Sequence, residues 1–170
     1  MLFLNPLNKE AKMSDATKGM MKWPLIIAAV LVVLRVLLEQ AGAPEPVNRI
    51  FGVSWLYFIT PVFFANRIAA SGDTRPFKTL FSTLLIYITC TRLMIIPTYW
   101  LAYMLQWKAP RFGLQSGGVV GEGITPLAGY VWIPIRNAAV WIVGGTLIGM
   151  IIGGVTLMIR RRGDAAPRTA

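Results

Sequence analysis

Four long apolar stretches dominate this chain, and each matches the about 20 residues a helix needs to cross roughly 30 Å of hydrocarbon. They run from about Trp23 to Leu38, extended toward Gln40, and then from Ile50 to Ala69, Thr79 to Leu105, and Val131 to Ile159. Backbone polar groups in lipid must be satisfied within the segment, so the pattern predicts an all-α polytopic membrane protein, with four transmembrane helices in an antiparallel bundle. The last stretch is too long for one perpendicular crossing at about 1.5 Å per residue. Its membrane part is placed at Val140 to Ile159, with the outer end projecting or tilted. Only 14% of the chain is charged, against about 25% in soluble domains.

The 17 basic residues set the orientation, because cytoplasmic flanks collect Lys and Arg. Lys9, Lys12, Lys18 and Lys22 precede the first crossing. Arg67, Arg75 and Lys78 lie around the link between the second and third, and Arg160, Arg161, Arg162 and Arg168 follow the fourth. The other side receives Arg49, Lys108, Arg111 and Arg136. Both termini are therefore expected in the cytoplasm, at the inner membrane if the chain is bacterial. Residues 1–22 form a cytoplasmic tail, 23–159 the membrane domain with a glycine-rich outer loop at 106–130, and 160–170 a basic tail.

A competing reading takes the first crossing as a signal peptide with Ala41-Gly42-Ala43 as its cleavage site. Pro44 just after the cut and Arg35 within the apolar run oppose it, and an uncleaved helix is expected. In the tail, Ser14 and Asp15 suit the cap of a short surface helix. The short, turn-rich link Ser71 to Pro76 makes its two flanking helices neighbours. The segment Gly113 to Gly129 lacks the GxxxxGK[ST] arrangement of a nucleotide loop, and reads as a flexible cap or a partner-contacting loop.

Missing residue types exclude chemistry. The chain has no histidine and one cysteine, Cys90. It therefore offers no imidazole metal ligand, no Ser-His or Cys-His pair and no internal disulfide. No catalytic residue, metal ligand or cofactor site is expected, and no soluble basic domain points to nucleic acid.

Two features exceed this background. Arg92 lies inside the apolar run Leu85 to Pro97, where a guanidinium costs at least about 2.5 to 3.5 kcal/mol on insertion scales. Arg35 and Arg92 stand 12 and 13 residues into outward-running helices, so they reach similar depths. Arg35 has Glu39 one turn further out. If the first and third helices approach closely, Arg92 shares that acid in an Arg–Glu–Arg cluster. Thr89, Arg92, Ile96, Tyr99 and Tyr103 follow one helical face, and Pro97 frees the carbonyl of Leu93. The expected polar site is thus Arg92, Arg35, Glu39, Thr89 and Tyr99. Three roles for Arg92 stand: a snorkelling side chain satisfied by Glu39, carbonyls and lipid phosphate; an ion pair with another subunit's acid; or a donor to an anionic or quinone-like ligand.

The second feature is the tandem Gly145, Gly149 and Gly153, whose spacing lets another backbone approach closely, within the chain or from a neighbouring subunit. Nine Trp and Tyr residues, Trp55, Tyr57, Tyr99, Trp100, Tyr103, Trp107, Tyr130, Trp132 and Trp141, fall near the expected outer ends of the crossings. They form either an interfacial girdle or a docking surface. The functional expectation is a non-catalytic accessory or structural subunit, or an assembly factor, in contact with membrane lipid and with partner subunits or its own copies. The alternative is a binder or transporter of an anionic or quinone-like small molecule through Arg92.

Overall fold

The computed structural model describes the backbone of residues 6–165 and the side chains of residues 19–162. The apolar tip before residue 6 and Arg168 lie outside the described residues. The chain is all-helical, and four of its helical stretches are long and apolar enough to cross a membrane: Gly19–Gln40, Glu45–Ala70, Pro76–Leu105 and Ala128–Arg162.

Helix α1 spans Pro6–Gln40. It passes through Ser14 and Asp15 without a break, so these residues do not begin a separate helix. The second stretch is not one continuous rod. A short helix α2, Glu45–Ile50, stops at Phe51 and Gly52, a 3-10 turn covers Val53–Trp55, and α3 covers Leu56–Ala70. At the break Gly52 is extended, with φ -74° and ψ 137°, and a Cβ there would stand 3.0 Å from Arg35 Nη1 and 3.0 Å from the carbonyl oxygen of Arg49, so the position suits glycine. Helix α4, Pro76–Leu105, opens on a proline whose fixed φ suits a first turn. It therefore starts three residues before the expected Thr79. A π-helical turn at Ala128–Trp132 leads into α5, Ile133–Ala165.

Helix α5 packs against both α3 and α4, while α1 lies on α4 with a smaller contact to α3. Gly145 faces Ile88 and Tyr57, with a built Cβ at 3.4 Å from each. Gly149 would place a Cβ 3.1 Å from Leu84 and 3.3 Å from Pro61, and Gly153 one 2.9 Å from Leu80 and 3.2 Å from the Pro61 carbonyl. The glycine stripe thus faces α3 and α4 of its own chain, where larger side chains would force the helices apart. Tyr57, Phe64, Leu80, Leu84, Tyr87, Ile88 and Leu157 fill the core around it. Helix α1 is the outlier: 17% of its apolar window is buried, against 33% to 44% for the other three.

The segment 106–127 is packed rather than open. Two 3-10 turns, Pro110–Phe112 and Leu114–Ser116, and a single bridge between Gly113 and Val120 hold it together. Phe112 and Val119 are fully buried beside Ala102, Tyr99 and Trp107. A Cβ on Gly118 would collide with the Phe112 backbone, so only glycine lets the chain fold back this tightly.

Candidate functional site

Two groups of cations that are largely removed from solvent lie toward the end of the bundle that carries the 106–127 loop. The first surrounds Glu39, at the C-terminal end of α1, whose side chain is 2% exposed. Arg35 Nε donates to Glu39 Oε1 at 2.9 Å, and Arg111 Nε donates to Oε2 at 2.9 Å. One carboxylate therefore joins α1 to the loop after α4. An Arg–Glu–Arg cluster forms, but its third member is Arg111 and not Arg92. No spacing signal could have paired Arg111 with an acid 72 positions away. The Arg111 guanidinium stacks over Phe112 at 4.2 Å, and its Nη2 is buried without a hydrogen-bond partner. Burial pushes the Arg111 pKa below its ordinary value, and Glu39 acts against that shift. By contrast, Arg49 and Glu45 form a largely exposed i,i+4 pair at 3.2 Å.

The second group is Arg92 itself, 8% exposed. Its guanidinium carbon lies 5.0 Å from the centroid of the Tyr57 ring on α3 and 4.6 Å from that of Trp141 on α5. Two aromatic rings, one from α3 and one from α5, thus cover one side of the cation, each desolvated contact being worth about 2 kcal/mol or more. Arg92 Nε and Nη2 are buried and have no hydrogen-bond partner among the described residues, and the Tyr57 hydroxyl also lacks one. The carbonyl released by Pro97 does not serve as its acceptor, and Glu39 is engaged elsewhere.

The expected polar face is displaced by about one residue. Thr89 is half-buried and makes no side-chain hydrogen bond among the described residues; it is Thr91, fully buried, that bonds the Tyr87 carbonyl at 2.9 Å. The buried stripe of α4 follows Leu84, Ile88, Thr91, Ile95, Thr98 and Ala102, with Arg92 at its edge. Tyr99 stands two turns beyond Arg92. Its ring packs edge-on against Phe112 at 5.3 Å, and its hydroxyl meets Asn137 Nδ2 at 3.5 Å. Asn137 also donates to the Gly117 carbonyl at 3.1 Å and precedes Trp141 by one helical turn. A polar column therefore descends from Arg111 through Tyr99 and Asn137 toward Arg92. Tyr57, Trp141, Arg111 and Asn137 were not among the expected site residues.

The nine Trp and Tyr residues divide along the same lines. Tyr57 turns into the core at 2% exposure, whereas Trp55 and Trp132 remain 58% and 65% exposed. Trp100 donates to the Tyr130 carbonyl at 2.8 Å. Around these two residues, Pro97, Leu101 and Met104 complete an apolar groove of about 440 Å³. Among the described residues, no cluster of three or more His, Cys, Asp or Glu side chains is placed to hold a metal. Comparison with protein-family models, with curated proteins and with solved structures finds no match to this chain.

Proposed function

We propose that this chain is a non-catalytic integral membrane protein, an accessory or structural subunit or an assembly factor that packs against a larger membrane complex. The observation that carries the reading is the apolar groove walled by Trp100, Tyr130, Pro97, Leu101 and Met104. Rigid aromatic walls are where binding energy concentrates at protein contacts. The weakly covered face of α1, with Ile26, Ile27, Val30, Val33 and Leu37 all exposed, adds a second apolar surface. The bundle's internal glycines and Glu39 are already engaged within the chain, so contact with a partner falls to the exterior.

In this reading the helices alternate up and down, with both termini cytoplasmic and the 106–127 loop on the opposite side. The stepped neighbours Gly145 with Ile88, Gly149 with Leu84 and Gly153 with Leu80 support opposite directions for α4 and α5. The basic residues in the N-terminal part of α1 (Lys9, Lys12, Lys18 and Lys22) and near the C-terminal end of α5 (Arg160, Arg161 and Arg162) support the sidedness. A second reading makes Arg92 the binding residue for an anionic or quinone-like small molecule. What favours it is the pair of buried guanidinium nitrogens that meet no acceptor.

Extraction from the native membrane in a mild detergent tests the main reading. The protein should migrate in an assembly larger than itself, and Met104→Lys, on the exposed wall of the groove, should release it while leaving its own thermal unfolding nearly unchanged. Recovery as a free monomer from native lipid nanodiscs would overturn the reading.

A further inference from the structure

A guanidinium offers five N–H donors and no acceptor. Nε–H and one Nη2–H lie side by side along one edge of the plane, the fork that grips a carboxylate or phosphate through two parallel hydrogen bonds. In Arg92 these are the two nitrogens that are buried and unpartnered. Tyr57 and Trp141 stand 5.0 and 4.6 Å from the guanidinium carbon with their ring centroids 6.1 Å apart, so both rings crowd the same side of the cation. Neither contact supplies an acceptor to Nε or Nη2, so the unspent capacity of the group lies along this edge.

Charge points the same way. Arg35, Arg92 and Arg111 lie in or beside the polar column, and Glu39 is the acid that pairs with two of them. Arg111 Nη2 is a further buried nitrogen without an acceptor. Below it, the Tyr99 hydroxyl and Asn137 meet only at 3.5 Å, beyond the distance of a good N–H···O bond. That contact is the weakest hydrogen bond between Arg111 and Arg92, with Asn137 held more closely by the Gly117 carbonyl at 3.1 Å.

We infer that the Nε/Nη2 edge of Arg92 is the seat of an oxyanion, a carboxylate or phosphate group, reached from the loop end between α4 and α5. The inference rests on the reading of Arg92 as a small-molecule site and narrows its ligand to an oxyanion. The oxyanion comes either from solution or from the headgroup of an anionic lipid; both present the same oxygens to the same fork.

The test follows the Arg92 Nε–H resonance of the full chain in phosphate-free maltoside micelles. Sodium phosphate, sodium acetate, phosphatidic acid and a short-chain neutral quinone are titrated separately at ionic strength held constant with chloride. A saturable downfield shift with phosphate or acetate supports the inference with a soluble source, and one with phosphatidic acid alone supports it with a lipid source. In parallel, thermal unfolding should show a saturable stabilisation by the same oxyanion, absent in Arg92→Gln. Arg92→Lys, which keeps the charge but loses the fork, should need at least about tenfold more ligand. If Arg92→Gln fails to fold, the Lys variant carries the comparison. A response to the quinone alone overturns the oxyanion while preserving Arg92 as a small-molecule site. No response to any of the four overturns both, as does equal stabilisation of wild type and Arg92→Gln.

Discussion

Arg35 and Arg111 share the two oxygens of one carboxylate, whereas Arg92, more deeply buried, lies against two aromatic rings with two nitrogens unpartnered. The first arrangement joins elements far apart in sequence and neutralises charge. The second covers charge without neutralising it. Desolvating an ion costs several kcal/mol in a protein interior, and two ring contacts of about 2 kcal/mol each offset only part of that. The carboxylate site is therefore expected to serve the fold, and the aromatic site to hold a cation whose hydrogen-bonding capacity is unspent.

Removing Glu39 should break the comparison most severely. Glu39→Ala leaves Arg35 and Arg111 buried without a counter-charge, and should lower the unfolding free energy by about 3 to 5 kcal/mol. Thermal or denaturant unfolding in lipid nanodiscs would measure it. A loss below about 1 kcal/mol would mean that the two arginines reach water once released. Next in size, Trp141→Ala removes one ring from Arg92 and should cost about 2 kcal/mol or more. Trp141→Phe, which keeps a ring face, should recover most of the loss.

Arg92→Leu should have a smaller effect than either, within about 1 kcal/mol in either direction, because it removes the desolvation cost together with the ring contacts. Destabilisation as large as that of Glu39→Ala would erase the distinction between the two sites. Smallest of all, Glu45→Ala breaks the exposed pair with Arg49 and should change stability by about 0.5 kcal/mol at most. A salt titration of the same variants sharpens the contrast: the Glu45 effect should vanish in high salt, while that of the buried Glu39 persists.

Much of the helical frame was legible because lipid imposes a coarse rule: enough consecutive apolar residues give a span. That rule located the apolar stretches around Trp23, Ile50, Thr79 and Val131. It missed the interruption at Phe51 and Gly52, where the backbone turns extended beside Arg35 of another helix, a tertiary neighbour that no local apolar count reveals. The i,i+4 pairing of Arg35 with Glu39 was readable from spacing alone. The displaced face of α4 was not, since Thr89 and Thr91 look alike until the neighbouring helices decide which side is covered. Glycine richness in 106–130 suggested flexibility, yet at Gly118 the missing side chain allows a close return of the chain onto Phe112.

The sequence by itself determined four apolar stretches long enough to cross a membrane as helices, a biased distribution of basic charge and the absence of histidine. These depend on local composition and on the solvent surrounding each segment. Only the tertiary structure decided which arginine shares Glu39, which aromatic residues leave the interface to cover Arg92, and which helices the glycine stripe approaches. Those outcomes depend on contacts between residues as far apart as Glu39 and Arg111, or Tyr57, Arg92 and Trp141. No local pattern encodes them, because each is fixed by helix rotation and by how the loops return.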